Sequence, residues 1–158
     1  MLERVVETAR EAGLAPIIAV VPPGLAVPPG ATPEINANPA AGISSSIRLG
    51  LAAVPPDVEA AVILLGDEPM VSTAAIGEVL AAAATGTAIV AARAGDRIGP
   101  PVHLRRPLFA LADALEGDEG LNRLIRAHPE ARLVDLPSAP VDIDTPADLD
   151  ALADMLDR

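Results

Sequence analysis

The sequence has no cysteine, no lysine, no tyrosine, no tryptophan and a single phenylalanine, Phe109. Without cysteine there is no disulfide, no thiolate nucleophile and no cysteine-held metal. Without lysine all eleven basic residues are arginine, which excludes Schiff-base chemistry and the phosphate-binding lysine of a P-loop. The scarcity of aromatics removes the platforms on which exposed bases stack, and leaves the core to Ala, Val, Ile and Leu. No apolar run nears the roughly 18 residues of a membrane span. The N-terminus reads as an amphipathic helix rather than a signal peptide, so a cytoplasmic protein without a membrane partner is expected. Neither G-x-G-x-x-G after a strand nor G-x-x-x-x-G-K occurs.

What is present is an apolar, acidic chain. With 158 residues, 51% hydrophobic and 21% charged, it is expected to form a single domain over 1–158 with a real core. A net charge of −11 argues against nucleic acid as partner. A small phosphorylated substrate is compatible with that charge if a divalent cation screens it.

Apolar spacing predicts a helix over 2–12 closed by Gly13, then a buried strand over 16–21 and a short strand over 34–36. A helix carrying Ile47, Leu51 and Val54 ends at Pro55-Pro56. Residues 60–65 (Ala-Ala-Val-Ile-Leu-Leu) are apolar on both faces, as a central parallel strand requires. A helix over 73–84, a strand over 87–92 and a hairpin through Gly95 and Gly99 follow. Two short helices (108–115, 121–127), a strand (132–136) and a final strand-to-helix unit (141–156) complete the chain. The alternation predicts an α/β fold with a mostly parallel sheet and flanking helices.

Three segments carry candidate chemistry. Asp67 is the first charged residue after the apolar run, at the sheet edge where α/β proteins bind ligands. It either caps the turn or presents its carboxylate to a ligand. In Asp142-Ile143-Asp144-Thr145-Pro146-Ala147-Asp148, helix capping accounts for Thr145, Pro146 and Asp148. Asp142 and Asp144, two apart on an extended segment, share a face, and one of them can join Asp67 around a Mg²⁺. In Asn38-Pro39-Ala40-Ala41-Gly42-Ile43-Ser44-Ser45-Ser46, a glycine and three hydroxyls open a helix whose free N–H groups favour polar ligands. One serine would suffice as a cap. His103, in Val102-His103-Leu104, is expected on the solvated face of a strand, and His128 follows a helix.

In order and spacing, three of these segments resemble the MobA-like NTP transferase family, nearest its molybdenum-cofactor cytidylyltransferase branch. They are 38–51, Leu64-Leu65-Gly66-Asp67-Glu68-Pro69 and 141–149. Gly99-Pro100-Pro101-Val102 and Gly117-Asp118-Glu119-Gly120 fall where that family has a similar turn and helix start. The resemblance implies a Rossmann-like fold of the nucleotide-diphospho-sugar transferase type. It implies transfer of a nucleoside monophosphate, CMP from CTP favoured, to a phosphorylated small-molecule acceptor such as molybdenum cofactor, with release of pyrophosphate. Asp67 and Asp142 would then be catalytic residues, Asp67 as the principal Mg²⁺ ligand and Asp142 or Asp144 as the second. Asn38, Gly42, Ser44, Ser45 and Ser46 would contact the nucleotide. The chain departs from the family in having Glu68 for glutamine and Pro100 for histidine. It also lacks the opening strand and glycine-rich loop. A chain so shortened is expected to be inactive alone and to self-associate through its incomplete sheet. The alternatives are a non-catalytic nucleotide-binding or interaction module, and a related sugar- or isoprenoid-phosphate nucleotidyltransferase.

Overall fold

In the computed structural model, which describes residues 1–136, the expected alternation of helices and strands forms nearly element for element. Helix α1 (Leu2–Glu11) buries Val5, Val6, Thr8 and Ala9 along one stripe. It stops at Gly13, whose φ of +80° is left-handed backbone that glycine adopts without a Cβ penalty. There the Gly13 N–H donates to the Arg10 carbonyl and the Leu14 N–H to the Ala9 carbonyl, so two acceptors at the helix end find partners. Strands β1 (Ile18–Val21) and β2 (Thr32–Ile35) pair in parallel. The second strand starts before the expected span and ends at Ile35, which leaves Asn36 just beyond it.

Helix α2 (Ile43–Ala52), strand β3 (Ala60–Ile63) and helix α3 (Thr73–Ala83) come next. The Ser72 side chain caps α3 by accepting the Ala75 N–H at 3.1 Å. Then follow β4 (Ile89–Ala94), β5 (Arg97–Arg105), a 3-10 segment (Arg106–Ala114) where a helix was expected, α4 (Asn122–Ala127) and β6 (Arg132–Asp135). The unit expected over 141–156 lies outside the described residues.

The strands form a parallel pair, β1–β2, and a four-stranded sheet in the order β3-β5-β4-β6. Because β5 is antiparallel to both neighbours while β4 and β6 are parallel, β3, β4 and β6 share one direction and β5 alone runs against them. This is the mostly parallel α/β class with one reversed strand, delivered by the hairpin at 95–96. Pro100 and Pro101 sit where the β4–β5 register shifts, between Ala91 paired with Val102 and Ala92 paired with Gly99. Two residues that cannot donate to a ladder are accommodated there as a bulge.

One face of the larger sheet packs Leu104 and Val102 against Ile47 and Leu51 of α2 and Leu115 after the 3-10 segment. The other packs Val90 against Val79 of α3. Arg106 ties the layers together. Its guanidinium donates to the carbonyls of Val54, Pro55 and Val58 and stacks 5.1 Å over Phe109, pinning the turn between α2 and β3 to the end of β5.

The expectation that His103 faces solvent is corrected. His103 is only 8% exposed, because α3 and the strand neighbours Val62 and Val90 occupy that side of β5. Burial pushes its pKa below 6.5, helped by the nearby Arg105 charge. The unfolded chain therefore takes up the proton first as pH falls. Stability from the neutral imidazole is complete above the unfolded value of 6.5 and is lost as the pH falls through the lower folded value. Melting midpoints taken at about pH 7.5 and 5.5 should fall further for the wild type than for His103→Leu. Equal falls would mean that another group titrates.

Strands β1 and β3 are not paired with each other; among the described strands each has one partner, β2 and β5 respectively. Both line one apolar cleft of about 480 Å³, walled also by Leu2, Val5 and Val6 of α1 and by Ile47 of α2. A sequence suited to a central strand, residues 60–65, therefore stands at a sheet edge and is only half-buried there.

Candidate active site

The turn before α2 is ordered by one buried amide. Asn36 is 3% exposed; its Nδ2 donates to Ser45 Oγ at 2.8 Å and to Ser46 Oγ at 3.0 Å, and its Oδ1 accepts the Asn38 backbone N–H at 3.0 Å. Ser45 in turn donates to the Gly42 carbonyl at 2.8 Å. The sequence pattern alone does not mark Asn36, although an Asn just after a strand and eight residues before a run of hydroxyls is the pattern such a network needs. The exposed Asn38 enters through its backbone, joined to Asn36.

The three serines do not share one role. Ser44 is 0% exposed, its backbone N–H donating to the Gly117 carbonyl at 3.1 Å, so its hydroxyl does not open onto the surface. Ser45 and Ser46 are half-buried, and Ser46 lines the cleft. Gly42 has φ +87°, and a Cβ placed there would lie 2.2 Å from both the carbonyl carbon and the oxygen of Gly117. Left-handed strain and overpacking together predict that Gly42→Ala destabilises the domain by about 2–4 kcal/mol. Gly77→Ala, at a helical site with nothing within 4 Å, should raise stability instead. Two melting curves settle the comparison; a neutral Gly42→Ala would mean that the two loops are not in contact.

Asp67 is exposed in the turn after β3. Its neighbours diverge: Gly66 lines the apolar cleft, while the buried Glu68 lines a second cavity of about 330 Å³. The two cavities share Ile43, Ile47, Ile63 and Leu65 as a common wall, and Asp67 stands in the turn between a residue that lines the first and one that lines the second. The second is edged by Arg97, Asn122 and Arg126. Glu68, where a glutamine was expected, is ion-paired to Arg97 at 3.7 Å, which offsets the extra charge beside Asp67. Asp142 and Asp144 lie outside the described residues. Among the described residues, no three His, Asp or Glu side chains gather as a metal cluster, at Asp67 or elsewhere.

A family model, the MobA-like NTP transferase domain, matches residues 1–132. This chain belongs to that family. The domain is thus a nucleotidyltransferase by family, and its fold has solved counterparts. The Mycobacterium tuberculosis H37Rv protein Rv0371c is 24% identical with a TM-score of 0.78, over 97% of this chain and 83% of that one. The crystal structure of Rv0371c complexed with manganese gives 25% identity and a TM-score of 0.78, over 97% and 86% of the two chains. A 2-C-methyl-D-erythritol 4-phosphate cytidylyltransferase from Thermus thermophilus is 21% identical with a TM-score of 0.75, over 99% and 88%. No curated protein sequence matches the chain. No helix among the described residues is long and apolar enough to cross a membrane.

Proposed function

We propose that this transferase domain moves a nucleoside monophosphate, CMP from CTP, onto a phosphorylated small-molecule acceptor and releases pyrophosphate. The observation that carries the reading is the position of Asp67, an exposed carboxylate in the turn between Gly66, which lines the cleft, and Glu68, which lines the second cavity. The cleft side offers the hydroxyl of Ser46, and the other side offers Arg97, Asn122 and Arg126. Two substrates that must meet at one phosphorus need such adjoining sites. An oxygen of the acceptor phosphate attacks the α-phosphorus of CTP, the bond from that phosphorus to the β-phosphate bridge breaks, and pyrophosphate leaves. No side-chain nucleophile takes part, in keeping with a chain that has no cysteine and no lysine.

Asp67, together with Asp142 or Asp144, is the donor set for a divalent cation. All are hard oxygen ligands of the kind Mg²⁺ takes, and the manganese complex of Rv0371c supports divalent-metal use. Bound there, the cation would neutralise charge on the phosphates. Arg97 and Arg126 would hold the acceptor phosphate. Molybdenum cofactor is the acceptor favoured by the triple-serine turn. The erythritol-phosphate cytidylyltransferase among the structural relatives supports a sugar- or isoprenoid-type phosphate as the second reading. Pyrophosphate release from CTP, measured with each class of acceptor in turn on the domain carrying an added N-terminal strand and glycine-rich loop, tests the proposal. Release that depends on one acceptor and on divalent metal is expected; metal-dependent CTP binding without release under any acceptor would favour a binding module.

A further inference from the structure

The hydrogen bonds around Asn36 fix more than the shape of the turn. The Asn38 backbone N–H can only donate, and it lies 3.0 Å from Oδ1, so the amide nitrogen must face the serines. That nitrogen has two hydrogens, directed to Ser45 Oγ at 2.8 Å and Ser46 Oγ at 3.0 Å. Ser45 gives its own hydrogen to the Gly42 carbonyl. Ser46 accepts from Asn36, and no described residue receives its hydrogen. At the cleft wall Ser46 is thus left as a donor, with an acceptor site already occupied from behind.

We infer that Asn36 is a positioning residue that holds the Ser46 hydroxyl as a hydrogen-bond donor, so that the site selects a ligand carbonyl oxygen over a ligand amino group. This rests on the nucleotide reading of the site. The ligand group is a nucleobase carbonyl of the kind a pyrimidine carries at position 2, where guanine carries an amino group. Ser46 touches the ligand; Asn36 acts only through it. Replacing Asn36 by Asp, nearly the same in shape but acceptor-only toward the serines, turns the Ser46 hydrogen inward and points its lone pairs at the ligand. The preference should then move from carbonyl toward amino.

The test uses the full 158-residue chain and saturation-transfer NMR titrations with CMP and GMP, since monophosphates ask only about the base end of the site. The wild type is expected to bind CMP more tightly than GMP. In Asn36→Asp the CMP affinity should fall about tenfold and the CMP-to-GMP ratio should shrink or invert. In a Ser46→Ala background the same change should alter CMP affinity less than about twofold, because its effect passes through Ser46. Should Asn36→Asp fail to fold, as a melting curve would tell, Asn36→Ala serves instead. It frees the Ser46 hydroxyl to rotate, so the ratio should fall toward one. A folded variant with the wild-type ratio, or one equally impaired without the Ser46 hydroxyl, overturns the inference alone. A wild type that binds neither CMP nor GMP overturns the nucleotide reading, and the inference with it.

Discussion

Asp67→Asn is expected to weaken metal-dependent CTP binding by at least about 100-fold while leaving the melting midpoint nearly unchanged. The first half of that expectation follows from ligand chemistry. A neutral amide presents one oxygen without the charge that holds a divalent cation, and even a residue that merely supports a metal ligand costs about 10–100-fold when removed. The second half follows from position. Asp67 is exposed and has no hydrogen bond or ion pair among the described residues, so nothing in the fold leans on it. Surface changes of that kind stay within about 0.5 kcal/mol. Calorimetric titration of CTP with Mg²⁺, and again with Mn²⁺, into both forms decides the matter. Equal affinities would remove Asp67 from the site, and a large loss of stability would make it a structural cap.

The second large effect concerns the cleft between β1 and β3. We propose that a strand running between their facing edges completes the sheet. A segment of about 25–35 residues joined ahead of Met1, encoding a strand, a Gly/Arg loop and a helix start, should raise the melting midpoint and abolish self-association. It should also bring pyrophosphate release that 1–158 alone is expected to lack. The edges of both strands line a common cavity whose walls are apolar, so backbone groups there are poorly placed to find other partners. Each buried backbone group left unpaired costs about 1–3 kcal/mol, against a typical domain stability of about 5–15 kcal/mol. The start of α1 is well placed for the junction, because a Cβ on Gly66 would meet Leu2 at 3.3 Å. A loop entering there arrives beside Asp67, where arginine side chains and backbone N–H groups can oppose phosphate charge. Sedimentation, melting and turnover of the two lengths are the measurements. A monomeric 1–158 that releases pyrophosphate from CTP would refute the proposal.

The fold was legible wherever one period dominated. The α1 stripe, the Gly13 stop and the apolar run at 60–65 each had a local physical cause, and each formed in place. Legibility failed where the deciding partner lay far off in sequence. His103 alternates along β5 as a solvated residue would, but α3, some twenty to thirty residues earlier, covers it together with the strand neighbours Val62 and Val90. The run at 60–65 reads as central because both faces are apolar, yet among the described strands only β5 pairs with β3. At the site, the hydroxyl cluster and Asp67 could be read directly from residue types. Asn36 could not, because a lone Asn after a strand ordinarily signals a turn, and its work is visible only once Ser45 and Ser46 lie opposite. The burial of Ser44 was hidden too, since Gly117 closes over it from a distant loop.

The approach of Gly42 to Gly117 also bears on how this domain can change over time. With no room for a Cβ between them and a single backbone bond from Ser44 joining the loops, residues 42–46 and 116–120 are not separable variables. Surface loops usually tolerate insertions and deletions because their closure cost grows slowly with length. Here a lengthened 116–120 loop would displace the start of α2 as well, and with it the hydroxyls that Asn36 holds. Variation in loop length should therefore collect elsewhere, for example at 24–31, where Gly24 and Gly30 face open space. The segment that follows Gly117 edges the second cavity through Gly120 and Asn122, so a graft meant to change the acceptor must carry both loops as one piece.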